Sequence, residues 1–507
     1  MNGYRSNNKQ IAKNTLFLYI RMFLTMAVSL YTVRVVIRTL SIQDYGLYSA
    51  VGGVILSFGL ITGVLTNASQ RFFSVEIGKG EKGRVREIFS TLFISYIGVS
   101  VLIFVLAETL GLWFLRTQMT IPEGRLSAAI WIYQLGLCSF IITLLTNPFN
   151  ALIIAHEKMN VYAYISILDV ILKLLIVYIL VLFDFDKLKL YAILIFCSQF
   201  FINCIYVWYC RRKYTTDTKL IFHVEKDTFK SIFSYSSWTL FGTVAGMFNT
   251  QGMNLLLNVF FGPIANAAYS VASQIYHTVS LFATNFYTAV KPALMKNYAS
   301  ANYEYVQKLF LFSSKAIFIL LYVFILPLIV CTNQILLIWL NEVGEYMVVF
   351  VRLSLIYTII LTISYPITAI IQAGGYVKRY HGLVDGFSIL ALPVVYIFFK
   401  VGFSAYWAYL TSIFVFIIAH VLRIYILKKV FSVFNVRVYM FRFIVPAILI
   451  FIGSMLMMFY IKSFFDERLI ATLTICCISC CTVAILSAFL LISSDERRIV
   501  KRMLIKG

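Results

Sequence analysis

The chain has 507 residues, of which 61% are hydrophobic and only 13% are charged, and its formal net charge at pH 7 is +22. Soluble proteins carry about 25% charged residues, so this composition excludes a water-soluble globular protein. The longest polar stretch, Arg211 to Lys230, is too short to fold as a soluble domain, which excludes catalysis by an appended domain.

The apolar residues fall into runs that predict an all-α membrane protein with about 14 transmembrane helices. Each run is about 20 residues long, the length of a helix that crosses a ~30 Å hydrocarbon core. The runs are continuously apolar, whereas the strands of a membrane barrel alternate between apolar and polar residues. The predicted spans are 14–37, 47–70, 89–111, 127–152, 164–183, 188–210, 233–260, 267–290, 313–334, 346–370, 381–399, 404–427, 442–461 and 468–492.

The loops between these spans predict the orientation of the chain. With a cytoplasmic N-terminus, 28 of the 43 Lys and Arg residues fall in cytoplasmic segments, 8 in external segments and 7 within spans. Cytoplasmic loops of membrane proteins are enriched in Lys and Arg, so both termini are predicted to be cytoplasmic. The positive net charge is thereby explained by topology, and no nucleic-acid partner is expected.

The two halves of the chain share a sequence pattern. Five residues between Pro148 and Tyr162 recur with the same spacing 218 residues later, between Pro366 and Tyr380. Repeats of six spans have the same orientation, so we predict two six-helix lobes with the substrate between them. The predicted domains are residues 1–215, residues 216–430, and residues 431–507, which hold two extra C-terminal helices and a cytoplasmic tail.

Positive charges inside the spans are candidates for a binding site, because each costs about 2.5–3.5 kcal/mol at the centre of a membrane helix. Arg21, Lys173 and Arg352 lie deepest. Arg34 is near the outer end of span 1, from where it can reach the interface. Asp169 precedes Lys173 by four residues, a spacing that predicts an ion pair. The excess of cations over acids predicts an anionic ligand, and a diphosphate is the strongest candidate because Arg binds it bidentately.

Polar residues form stripes on three of the spans. The candidate binding residues in them are Gln70 on span 2, Gln251, Asn254 and Asn258 on span 7, and His277 and Lys291 on or just after span 8. Amides and hydroxyls suit the hydroxyl groups of a sugar, and the same side chains can instead join neighbouring helices. His277 is either a hydrogen-bonding group or a proton carrier.

Four segments resemble the polysaccharide transporter family, which includes O-antigen and capsule repeat-unit flippases. They are Lys13-Asn14-Thr15, Leu40 to Ser49 (LSIQDYGLYS), Arg71-Phe72-Phe73, and Pro148 to Tyr162 (PFNALIIAHEKMNVY). The resemblance covers essentially the whole chain and implies two six-helix bundles, alternating access and a basic cavity in which Arg21 lies. It also implies a bacterial inner-membrane protein of lipopolysaccharide or capsule biosynthesis, with an undecaprenyl-diphosphate-linked oligosaccharide as substrate.

Other functions stay open at this point. A lipid II flippase or a multidrug/cation antiporter would share the fold of the multidrug/oligosaccharidyl-lipid/polysaccharide exporter superfamily, and a membrane-embedded polysaccharide polymerase would be an enzyme. We expect a protein that is not an enzyme and has no cofactor, catalytic residue or metal site, driven by an ion gradient or the membrane potential. The expected partners are the lipid-linked oligosaccharide, membrane lipids and polysaccharide assembly machinery.

Overall fold

The structure is a computed structural model of the whole chain. It describes all residues except 1, 41–43, 45–46, 49–50, 53–54, 56–57, 81–83, 118–120, 122–123, 184–185, 222–225, 341–342, 466–468 and 493–507. The described residues form helices joined by turns, with no strand among them. This is the outcome expected for an apolar chain in lipid, because each backbone N–H and C=O group there needs a hydrogen-bond partner within its own segment.

Every predicted span overlaps a helix, although residues 49–50, 53–54 and 56–57 of the second span lie outside the described residues. The helices are α1 Asn2–Leu40, α2 Gly59–Gly78, α3 Val85–Thr117, α4 Leu126–Ala155, α5 Met159–Leu182, α6 Lys187–Lys213, α7 and α8 within Lys226–Ala299, α9 Tyr303–Val330, α10 Met347–Ala373, α11 Val377–Val401, α12 Trp407–Val430, α13 Val436–Lys462 and α14 Leu469–Leu491. Ten of them, α3–α6 and α9–α14, are long and apolar enough to cross a membrane. The predicted all-α, multi-pass membrane fold is confirmed, and the number of 14 spans is approximate.

A single residue separates α7 from α8. Gly262 has φ 75° and ψ −170°, whereas the chain is helical on both sides of it. Glycine adopts a positive φ without a steric penalty, and Pro263 lacks the backbone N–H that the start of a helix leaves unpaired. We therefore number residues 226–261 as α7 and residues 263–299 as α8.

One end of α1 is fixed to the turn between α4 and α5. The Asn14 side-chain amide donates a hydrogen bond of 3.0 Å to the carbonyl oxygen of Glu157. Glu157 has φ 57°, in the left-handed region that forms the tight turn. Asn14 and Glu157 are both buried, so the bond satisfies polar groups that would otherwise be costly. Two of the family-like segments thus meet in one structural contact.

The opposite end of the same helices is joined by charges. The Arg125 guanidinium lies 2.7 Å from an Asp44 carboxylate oxygen and 3.3 Å from one of Asp186. The Asp186 side chain also accepts a hydrogen bond from the backbone N–H of Leu188 at the start of α6. Burial raises the pKa of the Asp44 carboxyl above its ordinary value, although Arg125 opposes the rise. The environment therefore disfavours the Asp44 charge even with Arg125 beside it.

The described chain forms two compact units, Met1–Leu240 and Phe241–Gly507. The boundary between these two units lies inside α7, and the division into lobes of residues 1–215 and 216–430 stays a prediction. In the second unit, α13 and α14 pack against α9: the Tyr322 hydroxyl is 2.6 Å from Ser454 Oγ, and the Cys480 thiol donates to the Val323 carbonyl at 3.5 Å.

Several helices continue beyond the predicted ends of their spans. Helix α2 reaches Gly78 and α8 reaches Ala299, so Arg71 and Lys291 lie inside helices rather than at their margins. Pro148 lies inside α4, which does not end until Ala155. Apolar runs mark where lipid contact ends, whereas a helix can extend into the polar interface as long as its backbone bonds continue.

Candidate functional site

Arg21 lies on α1 opposite the start of α5. Its guanidinium carbon is 4.6 Å from the centre of the Tyr162 ring, and the side chain is half-buried. No carboxylate among the described residues lies within 4.0 Å of it. A cation–π contact contributes about 0.5–2 kcal/mol but leaves the positive charge uncompensated. Arg21 therefore keeps its charge and its hydrogen-bond donors available to an anion.

Lys173 has the partner that the spacing predicts. Its ammonium is 2.6 Å from an Asp169 carboxylate oxygen, and the other Asp169 oxygen accepts from the Gln199 amide at 3.2 Å. The Gln199 carbonyl in turn accepts from Asn203, 2.8 Å away. The predicted ion pair is confirmed, and a polar chain continues from α5 into α6. Lys173 is thereby largely neutralised without a ligand.

The acids within the predicted spans are engaged in the same way. Glu108 accepts from the Gln134 amide at 3.2 Å, and Asp169 pairs with Lys173. Asp385 lies 2.5 Å from the Nδ1 atom of His381. Each of these acids therefore has a side-chain partner other than Arg21, and the Glu108 Oε1 atom is buried without a partner among the described residues.

Arg352 has a local role at the end of α9. Its Nε donates to the Ile329 carbonyl at 3.1 Å and to the Thr332 hydroxyl at 3.3 Å, and the guanidinium carbon lies 5.5 Å from the centre of the Phe459 ring. Lys462 likewise donates to the Val330 carbonyl at 2.8 Å. The last carbonyls of a helix have no intrahelical partner and carry partial negative charge. Two cations thus cap α9, and this explains Arg352 without an anionic ligand.

Lys291 is a buried cation of α8. Its side chain is only 5% exposed, and its ammonium lies 5.8 Å from the centre of the Tyr287 ring. It precedes the end of α8 by eight residues, or about 12 Å of helix. Lys291 therefore lies well inside α8, deeper than the hydropathy pattern predicts.

The remaining predicted residues are dispersed. Gln70 is half-buried on α2; Gln251 and Asn258 are exposed on α7, with Asn254 half-buried between them. The backbone of Arg34 is helical, but its side chain lies outside the described residues. These amides sit on the predicted helices, and their role in binding stays a prediction.

The second unit contains a cavity of about 110 Å³ between α7, α8, α10, α11 and α12. Its polar lining includes Asn249 of α7, His277 and Ser273 of α8, Asp385 of α11 and Tyr409 of α12. The predicted stripe of α8 thus contributes to the cavity through His277. The polar residues of α7 that line this cavity are Asn249 and Thr250; the predicted Gln251, Asn254 and Asn258 are not among its lining residues.

Asp385, which lines this cavity, belongs to a titratable pair that the sequence analysis did not predict. His381 and Asp385 are the first and last residues of a π-helical turn in α11, with Nδ1 and Oδ2 2.5 Å apart. The other imidazole nitrogen, Nε2, is buried and has no hydrogen-bond partner in the described part of the chain. Such π turns occur often at functional sites. The four-residue spacing of His381 and Asp385 was the available signal, as it was for Asp169 and Lys173.

Residues 11–298 match the family model described as "Polysaccharide biosynthesis protein". The chain belongs to the polysaccharide biosynthesis protein family. Over 291 residues it is 21% identical to an uncharacterized membrane protein, EpsK, of Bacillus subtilis (strain 168), and the match spans 55% of each chain. The chain thus spans about half the length of the curated relative it matches.

Solved structures show that this family member has the fold of MATE transporters. An outward-facing multidrug resistance MATE transporter of the MOP superfamily superposes with a TM-score of 0.70 at 13% identity, covering 85% of this chain and 97% of the other. A MOP superfamily transporter from Pyrococcus furiosus, described as having a binding pocket of reverse polarity, gives 0.67 at 14% identity, covering 83% and 96%. The family model thus gives the protein family, and the solved structures give the fold.

Proposed function

We propose that this protein is a flippase that moves an undecaprenyl-diphosphate-linked oligosaccharide across the bacterial cytoplasmic membrane by alternating access. The polysaccharide biosynthesis family and the MATE-like fold support a transport role. The observation that carries the choice of substrate is Arg21, a cation within the first membrane helix whose recorded side-chain partner is an aromatic ring.

A diphosphate group accounts for the retention of such a cation. Placing Arg within a membrane helix costs about 2.5–3.5 kcal/mol, and a charge-assisted bidentate contact with a phosphate offsets that cost only while the ligand is bound. Asp169 and Asp385 are engaged by Lys173 and His381, so a cationic drug would meet no available carboxylate on these two acids; Glu108, whose Oε1 atom has no partner among the described residues, is the remaining acid. We assign the diphosphate to Arg21, keep Lys291 as a separate candidate cation of the second unit, and leave Arg352 out because it caps α9.

The oligosaccharide requires neutral hydrogen-bonding groups rather than charges. Gln70, Gln251, Asn254 and Asn258 lie on α2 and α7 and supply amides of this kind, with donors and acceptors on one group. His277 supplies a further polar group on α8, beside the cavity of the second unit. Lys173 is retained as a positioning residue for Asp169 and Gln199 rather than as a direct ligand.

We propose an ion gradient as the energy source, with the His381–Asp385 pair as the group that exchanges a proton. Asp385 lines the cavity of the second unit. The other titratable groups that line it are Tyr269, Tyr276 and His277 of α8, Tyr357 of α10 and Tyr409 of α12. Asp385→Asn keeps the shape of the side chain while removing its ionisable group. We expect this variant to bind substrate but to lose the dependence of transport on an imposed pH gradient.

The test of the flippase function uses Arg21→Ala in cells that depend on this protein for export. We expect surface polysaccharide to fall at least about tenfold, the loss of roughly 1.4 kcal/mol or more of anion binding, while lipid-linked oligosaccharide accumulates inside. Arg21→Lys keeps a charge but not the bidentate geometry, and should be intermediate. The matched control is Arg442→Ala, since Arg442 is an exposed cation at the start of α13.

Two results would contradict the proposal. Undiminished export by Arg21→Ala at matched protein level would remove the diphosphate-binding role. Proteoliposomes that transport a cationic drug but do not expose a lipid-linked oligosaccharide to an external glycosidase would favour the antiporter. Lipid II offered in the same proteoliposomes distinguishes a lipid II flippase, because its diphosphate is the same and only its glycan differs.

A further inference from the structure

A groove separate from these features runs between α4 and α6 of the first unit. It has a volume of about 700 Å³. Arg211 and Arg212 line one end of it, at the last turn of α6, and Trp208 and Val207 line the part next to them. The orientation predicted from the loops puts this end at the cytoplasmic interface of the membrane.

The two arginines carry positive charge that the described chain does not compensate. Arg212 lies over Trp208, with its guanidinium carbon 5.5 Å from the ring centre, and neither arginine has a carboxylate within 4.0 Å among the described residues. The acid next in the chain, Asp217, instead lies 3.6 Å from His156. Both arginines line the same groove, so an anion in it would meet two positive charges that no nearby acid compensates.

The deeper part of the groove offers no unmet hydrogen bond. Asn203 lies about 12 Å along α6 from Arg211. Its side-chain amide donates to the Gln199 carbonyl at 2.8 Å and to the Thr143 hydroxyl at 3.1 Å, and its oxygen accepts from Thr146. A sugar placed there would bury its hydroxyls against groups that are already paired. An acyl chain has no such requirement, so the groove suits a ligand with an anionic head and an apolar tail.

We propose that this groove binds one anionic phospholipid of the cytoplasmic leaflet, with its phosphate between Arg211 and Arg212 and an acyl chain along Val207 and Trp208. Tryptophan is favoured at the headgroup level, and each basic residue near an anionic membrane surface contributes about 1 kcal/mol. Arginine adds bidentate binding of the phosphate. The site is independent of the proposed flippase function, since it takes a membrane lipid rather than the transported glycolipid.

The end of α12 provides a matched control. Lys428 and Lys429 occupy the last turn of α12, and the Lys429 ammonium lies 4.4 Å from the centre of the Tyr425 ring, four residues earlier. The arrangement matches Arg212 and Trp208 in charge and spacing. These lysines do not line the α4–α6 groove, so their removal tests the general attraction of a basic helix end for anionic lipid.

The experiment measures lipid retained by purified full-length protein, using native mass spectrometry after exchange into phosphatidylglycerol or phosphatidylcholine of equal chain length. The wild type should retain one phosphatidylglycerol, and Arg211→Gln/Arg212→Gln should bind it about thirtyfold more weakly, which corresponds to ~2 kcal/mol. Lys428→Gln/Lys429→Gln should retain it as the wild type does. If the double variant is not recovered in folded form, Arg212→Gln alone should weaken binding about fivefold.

Three outcomes would overturn the proposal. The first is equal loss of phosphatidylglycerol in both double variants, which would indicate a general surface effect. The second is retention of phosphatidylcholine by the wild type at the level of phosphatidylglycerol, which would show that the net charge of the headgroup does not determine binding. The third is retention of the lipid by Arg211→Gln/Arg212→Gln at the wild-type level.

Discussion

Replacing Gly242 with alanine should separate the His381–Asp385 pair. A β-carbon at Gly242 would lie closer than 3.0 Å to Asp385 Oδ2 and to His381 Nδ1. Real side chains do not tolerate that approach, so the pair must move or α7 must shift. Gly246 is one turn further along α7 and lines the same cavity, and a β-carbon there meets nothing within 4 Å. Gly246→Ala is therefore the same chemical change without the clash.

The expected cost follows from what the added methyl displaces. Overpacking a filled site costs about 1–3 kcal/mol, and losing a hydrogen bond to a charged group costs about 1.5–3 kcal/mol. The clash is with the ends of two side chains rather than with backbone, so we expect Gly242→Ala to lower the stability by ~2 kcal/mol. Gly246→Ala should be neutral or slightly stabilising, because alanine is the better helix former.

The assay is the midpoint of thermal unfolding of the purified variants in one detergent. Gly242→Ala should unfold at a lower temperature than Gly246→Ala. In the Asp385→Ala background, Gly242→Ala should lower the midpoint by less, because the imidazole of His381 is then no longer held by a carboxylate and can move away. Equal midpoints for Gly242→Ala and Gly246→Ala would refute the reasoning, since they would show that the pair is not held against α7.

Three further predictions concern the first unit. Asn14→Ala should lower the free energy of unfolding by about 1–3 kcal/mol, because it leaves the buried carbonyl of the α4–α5 turn without a donor. The control is Lys13→Ala at an exposed position, which should change that free energy by no more than about 0.5 kcal/mol in the same thermal assay. Asp44→Asn should not lower the unfolding midpoint at pH 7, because burial already disfavours the Asp44 charge. Arg125→Ala should lower the midpoint, because the buried carboxylate then loses its cation. A lower midpoint for Asp44→Asn than for Arg125→Ala would disprove this account. Tyr133→Phe should cost about 1–2 kcal/mol, since the Tyr133 hydroxyl donates at 2.7 Å to a carbonyl of the π turn in α3; an unchanged midpoint would show that this carbonyl finds another donor.

The sequence predicted the helices well because apolar length is a local property. It also predicted the Asp169–Lys173 pair, since four residues along a helix bring two side chains together whatever surrounds them. The same reasoning would have found His381 and Asp385, whose spacing is identical. A neutral histidine carries no charge that requires an acid beside it, so the sequence marks the Asp169–Lys173 pair more strongly than this one.

Contacts between distant segments could not be predicted from one sequence. Nothing near Arg352 indicates that its Nε reaches the Ile329 carbonyl, because a backbone acceptor has no residue type to mark it. Asp44, Arg125 and Asp186 lie in three different loops, and only the packing of the helices brings them together. Lys291 appeared to be at an interface because hydropathy locates the edge of the lipid and not the end of a helix.

The join at Gly262 has a mechanical consequence. With one non-helical residue between them, α7 and α8 have no slack at that end, so a conformational change cannot pull their joined ends apart. The far end of α8 is held as well, because the Tyr298 hydroxyl donates a hydrogen bond of 3.0 Å to the Val430 carbonyl at the end of α12. Movement of α8 about Gly262 must therefore break this bond or carry the end of α12 with it.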